Sequence, residues 1–223
     1  GGMQFTSSGP TLTNVTFSGN TANMGGGMQF AASSPTLTNV TFSGNTANYG
    51  GGMHFNSSSS TLTNSILWGN SPQEIYFYET GDPNSITITY SDIQGGQESI
   101  VTNNNGTVTW GDGNIDVDPL FVDSENNDYH LTVDSRLIDA GHPDFTDADG
   151  TVSDMGAHYY DQAGQPVRVS NLITTPAADN VSVRWNANSD AASYNIYRSI
   201  DGSADFYSLS PYTIESDTSY VDE

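Results

Sequence analysis

The sequence predicts an all-β chain: a solenoid of stacked 25-residue coils followed by an incomplete β-sandwich. Three observations lead there. GGMQF at Gly1 returns as GGMQF at Gly26 and as GGMHF at Gly51, and TLTN recurs at Thr11, Thr36 and Thr61. Such a fixed period marks stacked repeats, in which each unit buries its apolar face only against its neighbours. Within a repeat the apolar residues alternate, Met3 with Phe5 and Val15 with Phe17, which is strand periodicity. Beyond Gln165 the texture changes to the alternating runs VRVSNLITTP, VSVRWNA and SYNIYRS, split by turn clusters as in a sandwich.

Each repeat reads as about three short strands bounded by Gly, Ser, Asn and Pro, too short for a helix. Stacking brings equal positions to about 4.8 Å, the interstrand spacing of a sheet. Inward columns follow: Met3/Met28/Met53, Phe5/Phe30/Phe55, Leu12/Leu37/Leu62 and Phe17/Phe42/Leu67. Asn14, Asn39 and Asn64 fall at a bend, where Asn tolerates left-handed backbone, and are expected to form a ladder. Residues 1–73 contain no Asp, Glu, Lys or Arg. Neutrality suits an in-register stack, because a charged residue would sit over its own copy and be repelled.

The fourth coil is looser. Glu74 to Tyr78 supplies a strand, GDPN at 81–84 a turn, and ITITYSDI at 86–93 a copy of the TLTN strand displaced by 26. A fifth, irregular coil runs through Thr107 to Trp110 and on to Asp123. In residues 116–160, Leu120, Phe121, Leu131, Leu137, Ile138, Met155 and Tyr159 are expected to cap the open end of the core. The domain reading is therefore 1–160 solenoid with cap, 161–165 linker and 166–223 sandwich, the last reaching only about the fifth of some seven strands.

The chain has 26 acidic residues against four Arg and no Lys, a net charge of -22, and no Cys. That balance excludes nucleic acid and anionic membrane as partners, since nothing neutralises phosphates. No segment has the character of a signal peptide or a membrane span, and the chain opens inside a repeat, which reads as a mature or cut-out piece of a longer protein. Cations and neutral glycans remain as ligands. Asp144, Asp147, Asp149 and Asp154 surround a DxDG turn and offer oxygen ligands for Ca²⁺, although the EF-hand Glu at position 12 is missing. N-x-S/T sequons at Asn14, Asn39, Asn56, Asn105 and Asn180 permit glycosylation.

The GG-plus-TLTNxxFxGN units resemble the right-handed parallel β-helix superfamily, the pectate-lyase-like solenoids, and especially coils of bacterial surface proteins and outer-membrane adhesins, over roughly residues 1–160. Trp185, Tyr194, Ile196 and Tyr197 resemble the core of a fibronectin type III domain over 166–223. The first resemblance implies either a structural or adhesive role or carbohydrate chemistry. Lyases of that superfamily need an Arg or Lys base beside acidic Ca²⁺ ligands, and its hydrolases a close set of carboxylates. The regular coils carry neither. Glu74, Glu79, Asp92 and Glu98 on the irregular coils are read as solvated loop charges, and His54 as an outward residue in the place of Gln4 and Gln29. Catalytic residues are therefore assigned to none.

Two binding features stand beside that reading. Thr11/Thr13, Thr36/Thr38, Thr61/Thr63 and Thr87/Thr89 flank inward residues and make a flat Thr-x-Thr array, as in ice-binding solenoids, while Trp68, Tyr76, Tyr78 and Trp110 are candidates for stacking on sugar rings. The function expected is a non-enzymatic structural or adhesive segment of a secreted or cell-surface protein. Its alternatives are a carbohydrate-active β-helix or a glycan- or ice-binding solenoid. Two unfinished ends, an uncapped first coil and a sandwich short of strands, lead to the expectation of self-association, head-to-tail or by strand complementation.

Overall fold

The computed structural model describes residues 1–162, 173–176, 181–186, 194–196, 212–214 and 219–222. The chain divides into two compact units, Gly1–Asp161 and Gln162–Glu223. In the first, coil one comprises β1 (Met3–Thr6) and β2 (Thr11–Ser18), and coil two β3 (Met28–Ala31) and β4 (Thr36–Ser43). Coil three splits the long strand in two, giving β5 (Met53–Asn56), β6 (Ser59–Thr63) and β7 (Ile66–Trp68). Coil four is β8 (Ile75–Phe77), β9 (Asn84–Thr89) and β10 (Asp92–Ile93), and β11 (Gly106–Trp110) adds a last rung.

All pairing between coils is parallel and in register. β1, β3, β5 and β8 form one sheet, with Met3, Met28, Met53 and Ile75 in line. β2 pairs β4, whose first half pairs β6 and second half β7. The two halves diverge because Asn14, Asn39 and Asn64 hold φ of 57, 52 and 50°, the left-handed bend that Asn tolerates. Gly26 and Gly27 are required by the closeness of the stack: a Cβ on Gly27 would lie 2.6 Å from the Phe42 ring and 2.8 Å from the Gly52 carbonyl.

The inward columns are as the repeats demand. Met28, Phe30, Leu37, Phe42, Met53, Phe55, Leu62 and Phe77 are fully buried, while Met3, on the first coil, is 36% exposed. Phe17 stacks on Phe42 at 5.0 Å between centroids, and Phe30 meets Phe55 edge-on at 4.8 Å, a geometry that adds about 0.5–1.5 kcal/mol per pair beyond burial.

Residues 116–160 depart from expectation. They do not plug the end of the stack; they fold back along its flank. β12 (Phe121–Asp123) and β13 (Asp128–Leu131) form an antiparallel hairpin, and Leu131, Leu137, Ile138 and Met155 pack on Ile66, an outward residue of β7. Leu120 and Tyr159 remain 39% exposed. The tail then descends the coils: His142 N–H donates to Asn64 Oδ1 at 2.7 Å, Ala157 N–H to Thr41 Oγ1 at 2.9 Å, and His158 Nε2 lies 3.1 Å from Thr16 Oγ1. An apolar Ile66 where coils one and two carry Thr16 and Thr41 makes this flank adhesive.

The tail also shortens the expected Asn ladder. Asn39 Nδ2 donates to Asn14 Oδ1 at 3.1 Å, but the next rung fails because Asn64 donates instead to Ser153 Oγ at 2.7 Å, leaving Asn39 Oδ1 without a partner. A different ladder runs the length of the regular coils: Asn20 Nδ2 donates to Asn45 Oδ1 (2.9 Å), and Asn45 Nδ2 to Asn70 Oδ1 (2.7 Å).

The second unit, taken by itself, is all-β and antiparallel. β14 (Ile173–Pro176), β15 (Val181–Arg184) and β18 (Ser219–Asp222) form one sheet, and β16 (Tyr194–Ile196) pairs β17 (Tyr212–Ile214). Trp185 is buried with its ring 5.2 Å from Tyr194. These strands are consistent with a partial sandwich; Tyr197 and the sequon at Asn180 lie outside the described residues.

Candidate functional site

The first halves of the long strands present a flat face. Thr11, Thr36, Thr61, Thr87 and Thr109 form one outward column, and Thr13, Thr38, Thr63 and Thr89 the next. The first column is exposed throughout, and the second runs from exposed at Thr13 to half-buried at the rest. Alternation forces this, because Leu12, Leu37, Leu62 and Ile88 between them point inward. Ser59, Ser85 and Thr107 border the array, Ser85 Oγ donating to Ser59 Oγ at 2.8 Å, and Thr63 and Thr89 hydroxyls meet at 3.1 Å.

Sequence reasoning found eight of these threonines and missed Thr107 and Thr109. The T-x-T pattern at 107–109 was visible, but its spacing of 22 from Thr87 concealed the register that Thr109 shares with it. The face offers methyl and hydroxyl groups at about 4.8 Å intervals and no charge. It can hydrogen-bond and pack; it has no acid or base of its own.

The carboxylates of the irregular coils are another matter. Glu79 and Glu98 are exposed as expected, but Glu74 is 4% exposed and Asp92 fully buried, so neither is a solvated loop charge. Glu74 Oε1 accepts the Asn70 backbone N–H at 3.0 Å and Oε2 the Asn70 side-chain amide. Burial outweighs these bonds and pushes its pKa up to about 7. Asp92 accepts the Val117 N–H at 3.0 Å through Oδ1, while Oδ2 is buried without a partner; burial, aided by the charges of Asp116, Asp118 and Glu74, likewise raises it to about 7. Both were singled out but read as solvated, because a lone acid after an irregular turn carries no signal of burial.

His54 does stand in the outward column of Gln29, yet it is buried, its ring stacked with Tyr76 at 5.6 Å and near Tyr78 at 5.9 Å. Burial lowers its pKa to about 4, so it is neutral, and neither ring nitrogen has a partner. Tyr49, 48% exposed, lies 5.3 Å from Tyr76 and completes an aromatic group on this sheet. Trp68 packs under the tail and Trp110 against the main core. On the flank, Asp128 holds His130 at 2.7 Å, and the His130 ring lies 4.7 Å from that of His158, whose pKa is lowered by burial and then by His130.

The four aspartates of the calcium reading are spread among backbone donors. Asp144 is exposed. Asp149 Oδ1 accepts the Thr151 N–H at 3.1 Å and its hydroxyl at 2.8 Å; Asp147 accepts the Asp154 N–H at 2.7 Å; and Asp154, 2% exposed, accepts N–H groups of Asp139 and Tyr160. Burial raises Asp154 to about 7. Among the described residues no three His, Cys, Asp or Glu side chains are grouped to hold a metal ion. Of the sequons, Asn14 is exposed, Asn39, Asn56 and Asn105 are half-buried, and the Asn105 amide donates to the Tyr78 carbonyl at 2.8 Å.

Parallel in-register coils, stacked phenylalanines and an internal Asn ladder define a parallel β-solenoid. Residues 1–119 match the family model described as "right handed beta helix region", and the chain belongs to that family. No curated protein and no solved structure matches it. No helix among the described residues is long and apolar enough to cross a membrane.

Proposed function

We propose that this chain is a non-enzymatic structural and adhesive segment of a secreted or cell-surface protein, and that the Ser/Thr face is its adhesive surface. The observation that carries the reading is the contrast between that flat, uncharged, in-register face and the fate of the acids. Glu74 and Asp92, the best acid-base candidates, are turned into the fold as acceptors for Asn70 and Val117. The face suits a neutral, hydroxyl-rich surface such as a polysaccharide, because every rung presents a hydroxyl and a methyl, whereas a net charge of -22 repels anionic targets.

The experiment is retention of the full chain on insoluble neutral polysaccharides, with product analysis of the same mixtures. Retention without new reducing ends, lost when Thr36, Thr61 and Thr87 are replaced by Lys, supports the reading. Turnover of any polysaccharide, or retention unaffected by the three lysines, overturns it. A second reading, a carbohydrate-active solenoid, draws on the Tyr49, Tyr76 and Tyr78 rings around neutral His54, and turnover lost in Tyr49→Ala would favour it.

A further inference from the structure

A carboxyl stands in the seam between the coils and the segment folded along their flank. Thr16, Thr41, Ile66, Asp92 and Ile115 follow one another in register along one outward column, the flank on which residues 116–160 lie. Directly paired residues of parallel strands point to the same side, so Asp92 lies between the side chains of Ile66 and Ile115. Both belong to the apolar cluster of the seam, with Leu131, Leu137, Ile138, Met155 and Val117.

Asp92 is fully buried there. Its Oδ1 accepts the N–H of Val117, at the start of the covering segment, at 3.0 Å, and its Oδ2 has no partner. A protonated carboxyl leaves one hydroxyl unbonded in this place, whereas a carboxylate is an uncompensated buried charge and costs far more. The neighbouring charges add to that cost, since Asp116, Asp118 and Glu74 all act on it with the same sign. On the covering segment, Asp134, Arg136 and Asp139 are exposed, His142 packs on Tyr90, and Asp154 is a second buried acid, engaged with the N–H groups of Asp139 and Tyr160. Burial first, and then these acids, raise the Asp92 pKa to about 7, against about 4 for a carboxyl in water.

We propose that residues 116–160 are a pH-operated strap, docked on the flank while the Asp92 carboxyl is protonated and released when it ionises. The remaining bonds that hold the strap down join uncharged groups: His142 N–H to Asn64 Oδ1, Gly156 N–H to the Asn64 carbonyl at 2.7 Å, and Ala157 N–H to Thr41 Oγ1. His158, at Thr16, works in the opposite sense, but burial lowers its pKa and moves its protonation to the acid end of the range. The docked strap binds a proton that the open one releases between pH about 4 and about 7, so the opening equilibrium rises up to about tenfold per pH unit across that window and levels off above it. Release uncovers Ile66, the one apolar residue among the Thr16, Thr41 and Ile66 rungs of this column.

The test is amide hydrogen exchange of the full chain at pH 5 and pH 8 and fixed ionic strength, each rate divided by that of the unstructured chain at the same pH. Protection over residues 128–157 is expected to fall roughly tenfold or more on going to pH 8, while amides of β3, β4 and β5 keep theirs. Asp92→Asn, which still offers Val117 an acceptor, reduces the fall to about threefold or less. Asp92→Ile makes the column apolar from Ile66 to Ile115 and holds the strap down at both pH values, which carries the test should Asp92→Asn not fold. Protection of the strap that is unchanged between pH 5 and pH 8, or a fall shared equally by the coils, overturns the proposal. A fall that survives both substitutions places the trigger elsewhere, with Asp154 the next acid in line, and overturns it as well.

Discussion

Glu74 ends the ladder that Asn70 would otherwise leave open: its two carboxylate oxygens take the backbone and side-chain N–H groups of Asn70, in place of an Asn on the next coil. The regular coils hand each pair of donors to the Asn below. Coil four has Gly95 at that distance from Asn70, so an acid from the intervening turn supplies the acceptors. Glu74→Ala orphans these buried donors, and each is expected to cost about 1–3 kcal/mol. Glu74→Gln, which keeps one acceptor, should fall between the two in urea melts. Equal stability of all three chains would remove the terminator role.

Stability should fall as pH rises from about 4 to about 7. Burial raises Glu74, Asp92 and Asp154 to about 7 in the folded chain, against about 4 unfolded. Between those values the folded state binds more protons, so its advantage is complete at the acid end, declines through the window and is flat above it. The net charge of -22 works in the same direction. Melting at pH 5 should exceed melting at pH 8 at fixed ionic strength. Asp92→Asn, which retains an acceptor for Val117, should narrow the gap, and a gap unchanged by it would assign the effect elsewhere.

The flank segment should be separable from the solenoid. Leu137 is fully buried against Ile66 and Met155, and Leu137→Ala is expected to cost about 2–5 kcal/mol, mainly by freeing residues 116–160. Limited proteolysis followed by mass analysis should show early cuts there and a protected 1–110 core. Cuts spread evenly over the chain would mean that the tail and coils unfold as one.

Calcium and turn roles of the DxDG loop part in a chelator experiment. Asp149 accepts from Thr151 twice, so Asp149→Ala is expected to lower the melting temperature by the same amount with and without chelator. A drop in the unmodified chain on chelation, absent in the variant, would instead assign Asp144, Asp147, Asp149 and Asp154 to Ca²⁺.

The sequence by itself determined the coil. A period of 25, alternation of Met3 with Phe5, and Asn at each bend leave one way to stack, because any other register puts Phe30 or Leu37 into water. It also determined the Thr columns of the first four coils, since they follow from the same alternation. What only the tertiary structure decided lies where the period ends. Whether Glu74 and Asp92 face water or the interior depends on what covers them, and that cover, Asn70 in one case and Val117 of the last coils in the other, is irregular in spacing. The tail is the plainest case. Its leucines announce burial but not against what, and one substitution, Ile66 for the Thr of earlier coils, together with Asn64 turned outward to Ser153 and His142, directs it along the flank instead of over the end. Apolar burial is non-directional, so its destination is settled by the nearest unsatisfied surface, which no local pattern records.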